Sequence, residues 1–125
     1  MAGYVVNIED ETLKNENFRK VLNTANNSQL VVMSLLPSEE IGMEVHHLDQ
    51  FIRFETGEGK VILDGEEHKI GADWAVVIPA GTRHNVINTS VSEKMKLYTV
   101  YSPPEHPAGT VHATKGEADA AEHAH

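Results

Sequence analysis

The stretch Pro79-Ala80-Gly81-Thr82-Arg83-His84-Asn85-Val86-Ile87-Asn88 decides how this chain is read. Pro79 presets its own φ and Gly81 admits positive φ, so the pair predicts a tight turn. That turn delivers His84 onto a new strand. Side chains alternate across a strand, so His84, Val86 and Asn88 share one face. A histidine facing inward, with Asn88 fixing the next turn, suits metal ligation. Upstream, Glu44, His46, His47 and Gln50 form a second group of metal-type side chains ahead of Gly57. On a strand Glu44 and His46 point to the same face and His47 points away.

Outward from these stretches the pattern is β, with turn signals every 8 to 12 residues. Residues 17–23 and 29–36 are apolar, β-branched-rich runs separated by a polar turn at 24–28. A short segment near 42–47 follows a Pro-Ser-Glu-Glu loop. Residues 50–56 and 60–64 come next, then Asp64-Gly65, a strong hairpin signal because a type I′ turn needs positive φ at both central positions. Runs at 67–70, 74–78, 83–88 and 95–101 complete about nine strands, and the one helical hint before residue 102 is a turn at 10–16. After Tyr101 the chain changes: Pro103, Pro104 and Pro107 oppose helix and central strand. Residues 102–112 read as an ordered strap, making 1–112 one barrel unit. Residues 113–125 read as an irregular, mobile tail, because a short helix capped by Thr114 is marginal alone. His106, His112, His123 and His125 are expected to be solvated.

The 125 residues fit one domain. A net charge of −9 argues against nucleic acid and anionic membrane surfaces as partners. No run of 18 apolar residues exists and the first twenty residues are acidic, so neither a membrane span nor a signal peptide is expected, and the cytoplasm is the expected setting. With no cysteine, any metal must be held by imidazole, carboxylate or amide groups.

Pro79, Gly81, His84 and Asn88 resemble the second signature of the cupin family, G-x5-P-x-G-x2-H-x3-N. Asp73 stands at its opening glycine, a swap that aspartate tolerates in the left-handed region. The first signature, G-x5-H-x-H-x3/4-E-x6-G, is altered. With Gly57 as its closing glycine, Gln50 takes the glutamate position, His46 the second histidine and Glu44 the first. The resemblance spans residues 18–105 and implies an all-β double-stranded β-helix, a jelly-roll barrel holding one divalent transition metal ion. Glu44, His46, Gln50 and His84 are the implied ligands; two histidines and a carboxylate match the set used by non-haem iron, with Gln50 a weak fourth ligand, and manganese, nickel and zinc are also compatible.

Other readings stay open. A β-bulge would make His47 the ligand. Glu44 also reads as a solvated acid beside Glu39 and Glu40, Gln50 as a partner of metal-bound water, and His84 as a core histidine in a metal-free pocket.

By resemblance, small single-domain cupins of the mannose-6-phosphate isomerase-like kind are the nearest in type, and that kind spans many activities. A metal enzyme acting on a small oxygen-rich ligand such as a sugar or uronate, by isomerisation or epimerisation, is the leading expectation. Uronate-linearising cupins place glutamine beside histidine ligands. An iron dioxygenase and a non-catalytic sensor are the alternatives. Among the barrel cations, Arg53 has opposite parity to Gln50 and faces away, Lys96 and Tyr98 are expected to be solvated or cross-strand, and Trp74 is expected on the barrel surface. A homodimer is expected with 17–23 and 29–36 near the contact, because an apolar edge strand bearing Phe18, Val21 and Leu22 needs cover.

Overall fold

Val31, Met33 and Leu35 recur at every second residue, as do Met95, Leu97, Thr99 and Tyr101, which puts each set on one strand face. In the computed structural model, which describes residues 3–123, those faces turn inward and are buried. The elements are α1 (Ile8–Lys14), β1 (Arg19–Thr24), β2 (Gln29–Leu35), β3 (Asp49–Thr56), β4 (Glu58–Leu63), β5 (Glu66–Gly71), β6 (Ala75–Ile78), β7 (His84–Asn88), β8 (Met95–Ser102), β9 (Val111–His112) and α2 (Lys115–His123). They form two antiparallel sheets, one ordered β6-β3-β8-β2-β1-β9 and the other β5-β4-β7. This is the expected jelly roll. Its core is built on Phe54, Ile52, Leu97, Met95, Met33, Val61 and Val86.

The turn chemistry follows the sequence closely. Asp64 (φ 48°) and Gly65 (φ 85°) join β4 to β5 with positive φ at both positions, as a type I′ turn requires. Asp73 adopts φ 72° and its carboxylate accepts from Arg53 Nη2 at 2.9 Å. Gly59 is required for a different reason: a Cβ there would lie 2.1 Å from the carbonyl oxygen of Ile87 on β7.

Three features differ from the sequence reading. The segment at 42–47 forms no strand and contributes one isolated bridge, Glu44 to His84. The run at 17–23 is not a bare edge. The strap pairs Arg19 with His112 and Lys20 with Val111, and Val21 N donates to Thr110 O at 2.8 Å, so the chain covers β1 itself. Phe18 and Val21 are buried. Finally, the tail expected to be mobile carries α2. Thr114 Oγ1 accepts from Glu117 N and Glu117 Oε2 accepts from Thr114 N, both at 3.1 Å, which is a capping box. Ala118 is buried in the core, the docking that a lone helix of this length lacks. His125 lies outside the described residues.

On the opposite side of the large sheet, α1 packs against β2, β3 and β8, with Asn7 capping it through Asp10 N. Lys96, expected to be solvated or cross-strand, is buried there and pairs with Glu16 at 2.8 Å. Trp74 is exposed, as a barrel-surface residue would be. No helix among the described residues is long and apolar enough to cross a membrane.

Candidate metal centre

The turn at 79–82 sets the site. Thr82 N donates to Pro79 O at 3.2 Å and Gly81 sits third in the turn with φ 87°, the conformation that a type II turn assigns to glycine. Gly81 N also donates to His46 O at 2.8 Å, and Ala80 N to Asp49 Oδ1 at 2.9 Å. These bonds tie the turn to the segment carrying the upstream candidate ligands. Past the turn, Glu44 and His84 exchange both backbone bonds, Glu44 N to His84 O at 2.8 Å and His84 N to Glu44 O at 2.9 Å. Such a hydrogen-bonded antiparallel pair places the two side chains opposite each other on one face. Two residues on, His46 shares that face, while His47 is exposed. The register therefore selects His46 over His47.

Ligand-type atoms of Glu44, His46 and His84 all lie within 4.8 Å of one another. The two imidazole centroids are 5.2 Å apart, and His46 Nε2 is 3.6 Å from Glu44 Oε1. Each ring is held by its other nitrogen. His84 Nδ1 lies 2.9 Å from Thr82 O, which can only accept, so Nδ1 carries the proton and Nε2 presents a lone pair. His46 Nδ1 lies 3.3 Å from Glu105 Oε2, within ion-pair distance. Gln50 is buried on the inward face of β3, and its Nε2 donates to Thr99 Oγ1 at 3.0 Å, which leaves Oε1 as the free end. His46 Nε2, His84 Nε2 and Gln50 Oε1 are all buried without a hydrogen-bond partner. Buried polar atoms are nearly always satisfied. The two imidazole nitrogens lie together with the Glu44 carboxylate, and acceptors grouped in this way with no donor to meet them form a donor set suited to a cation.

Electrostatics agree with that reading. Burial raises the Glu44 carboxyl, but contact with His46 and the nearby cationic charge, that of Arg19 included, outweigh burial and leave it below its ordinary range. Contact with Glu44 raises His46 against the opposing effect of burial. Burial drives the Tyr101 phenol well above its usual range, so it stays neutral. Tyr101 pairs with Gln50 in the β3–β8 ladder and meets His46 edge-on, with centroids 6.0 Å apart. Asn88 is fully buried and donates to Leu35 O, Leu36 O and Glu93 O, so it fixes the following turn and holds no ligand position.

The strap adds residues that the sequence reading placed in solvent. His106 is half-buried, edge-on to Tyr101 with centroids 5.2 Å apart, and burial with the Arg19 charge lowers its pKa to about 3. The expectation of a solvated His106 is therefore corrected. Arg19 was overlooked altogether. It is 3% exposed, on the inward face of β1 with Val21. Its parity with Val21 was the available signal, since an inward apolar residue implies that the residue two before it also faces in. Among the cations considered from the sequence, Arg53 is engaged by Asp73 and Lys96 by Glu16.

The cupin domain family model matches residues 31–101, a span that includes β2 through most of β8. A crystal structure of BH2720 from Bacillus halodurans is 48% identical, with a TM-score of 0.91, covering 94% of this chain and 93% of that one. The uncharacterized protein YrkC of Bacillus subtilis (strain 168) is 47% identical over 95% of this chain and 67% of its own length. The uncharacterized protein L612 of Acanthamoeba polyphaga mimivirus is 46% identical over 86% of this chain and 70% of its own.

Proposed function

The chain belongs to the cupin family, and on that footing we propose that it is a metal-dependent cupin acting on a small oxygen-rich molecule of the sugar or uronate type. Cupins commonly bind a divalent metal. Here Glu44, His46, Gln50 and His84 would hold it, in the site formed by the buried, unpartnered acceptors. Such an ion supplies Lewis acidity toward a carbonyl or a pair of neighbouring hydroxyls, the chemistry of isomerisation and epimerisation.

The rest falls to the chain. The Thr82 carbonyl keeps the His84 proton on Nδ1 and its Nε2 lone pair inward, and the Glu105 carboxylate beside His46 Nδ1 would favour the same arrangement there once a metal is bound. Thr99 turns the Gln50 amide so that its oxygen is the free end. Tyr101 and His106 form a neutral wall beside the group.

The single observation that carries this reading is the pair of buried imidazole nitrogens without a donor, grouped with the Glu44 carboxylate. The test is a proton-NMR screen of uronates and sugar phosphates with untagged protein loaded in turn with zinc, manganese, nickel and ferrous iron. Conversion that requires the metal and disappears in His84→Ala is the expected result. Metal-loaded protein that leaves every compound unchanged contradicts the catalytic part of the reading.

A further inference from the structure

Arg19 is a buried cation with no carboxylate at ion-pairing distance, although Glu44, Glu105, Asp119 and Glu122 line the cavities around it. Its guanidinium meets His112 Nδ1 at a long 3.4 Å, lies 5.3 Å from the centre of the Phe18 ring and sits beside the Tyr101 phenol. Among the described residues no carboxylate forms an ion pair with it, and its Nε is buried without a hydrogen-bond partner. Leaving a charge buried and unpaired is among the costliest placements in a fold. Arg19 also stands where two cavities meet. One, of about 230 Å³, is lined by Arg19, Glu105, His106 and His112, and His106 Nε2 is itself buried and unsatisfied. The other, of about 290 Å³, is lined by Arg19 together with Glu44 of the proposed metal centre. Residues of α2 wall both. Glu105 lines the first cavity but is turned to His46, and the exposed Glu122 lines both.

We propose that Arg19 is the anchor for the carboxylate of an acidic substrate, held beside the metal centre under α2. The inference rests on the barrel mouth being the working site and narrows its substrate class to organic acids, uronates over neutral sugars. A guanidinium presents parallel N–H donors that match a carboxylate edge, so it selects a planar anion where a lysine would offer only a point charge. Arg19 would then act in specificity, touching substrate away from the reacting atoms.

The experiment follows the Arg19 Nε–Hε resonance by nitrogen-15 NMR, assigned with Arg19→Lys, in carboxylate-free buffer at pH 7. Sodium acetate, glucuronate and neutral glucose are titrated into metal-free and metal-loaded protein. A saturable shift is expected with acetate and with glucuronate, the latter at a concentration at least tenfold lower, and none with glucose. No saturable shift with either acid, or an equal shift with glucose, overturns the proposal. Metal content is measured separately, so a chain that holds no metal yet shows the carboxylate response sinks the metal reading and leaves Arg19 assigned. Arg19→Met gives a second readout. An anchor kept for a ligand is dispensable to the fold, so the melting temperature should hold or rise. A melting temperature lowered by several degrees marks a structural role and counts against the anchor.

Discussion

At the scale of single residues, one backbone pair determines which side chains meet. Glu44 and His84 exchange two hydrogen bonds, and alternation then puts His46 inside and His47 outside. His46→Ala should therefore abolish metal binding and His47→Ala should leave it nearly intact, as read by metal content after dialysis. The reverse pattern would mean that the register has slipped by one residue. Glu105→Gln tests the support of His46 Nδ1 and should weaken metal affinity about 10- to 100-fold without loss of fold, measured by competition with a chromophoric chelator. Much of the candidate group was legible because Pro79, Gly81, His84 and Asn88 keep their spacing, and because Glu44 and Gln50 fall at positions where strand parity points inward. Arg19 and Glu105 were not legible as site residues. Their neighbours are 93 and 59 positions away in sequence, at His112 and His46, and only the folded strap brings them together.

At the scale of elements, the turns were predictable and the packing of the ends was not. Asp64-Gly65 and Asp73 adopt the positive φ that their residue types favour, a purely local preference. Gly59 looks like another turn glycine in the sequence, yet its role is the approach of the Ile87 carbonyl. Gly59→Ala should cost about 3 kcal/mol or more, because the neighbour is backbone and cannot step aside. Gly65→Ala faces open space and should cost about 1 kcal/mol, for the left-handed conformation alone. Urea midpoints of the two variants would check this, and equal losses would contradict it. The link between α1 and β1 gives a pH signature. Hydrogen bonds from Lys94 and Lys96 lower Glu16 to about 2. A carboxyl depressed in the folded state contributes stability above its unfolded value and loses it as pH falls to the folded one. The melting-temperature gap between wild type and Glu16→Gln should thus be full above about pH 4.5 and close toward about pH 2. A gap that stays constant across that window would show that the carboxylate charge is not what matters. The C-terminal helix and its Thr114 cap were visible in the sequence, but its order was not, because nine residues are marginal alone. What supports it is tertiary, namely Ala118 in the core and the Thr114–Glu117 capping box.

At the scale of the whole molecule, the jelly roll was readable from strand alternation and the two motifs, whereas the outer surface was not. The outer face of the large sheet carries a row across four strands: Leu30 beside Val100, Val100 beside Phe51, and Phe51 beside Val77. Val77 is 67% exposed and the other three are half-buried. With β1 covered by the strap, this row, reached through β2, is where we predict that two copies pair. Light scattering should give twice the 13.8 kDa of one chain, and Val77→Lys should shift the mass toward the monomer. A particle of one chain at micromolar concentration would contradict the dimer. The proposed substrate binding and catalysis would both require a bound metal, so the most direct measurement is the metal content of untagged protein by mass spectrometry, wild type beside His84→Ala. The account predicts one transition-metal ion per wild-type chain and almost none in the variant. A wild type that cannot be loaded, or a His84→Ala protein that keeps a full ion, would contradict it.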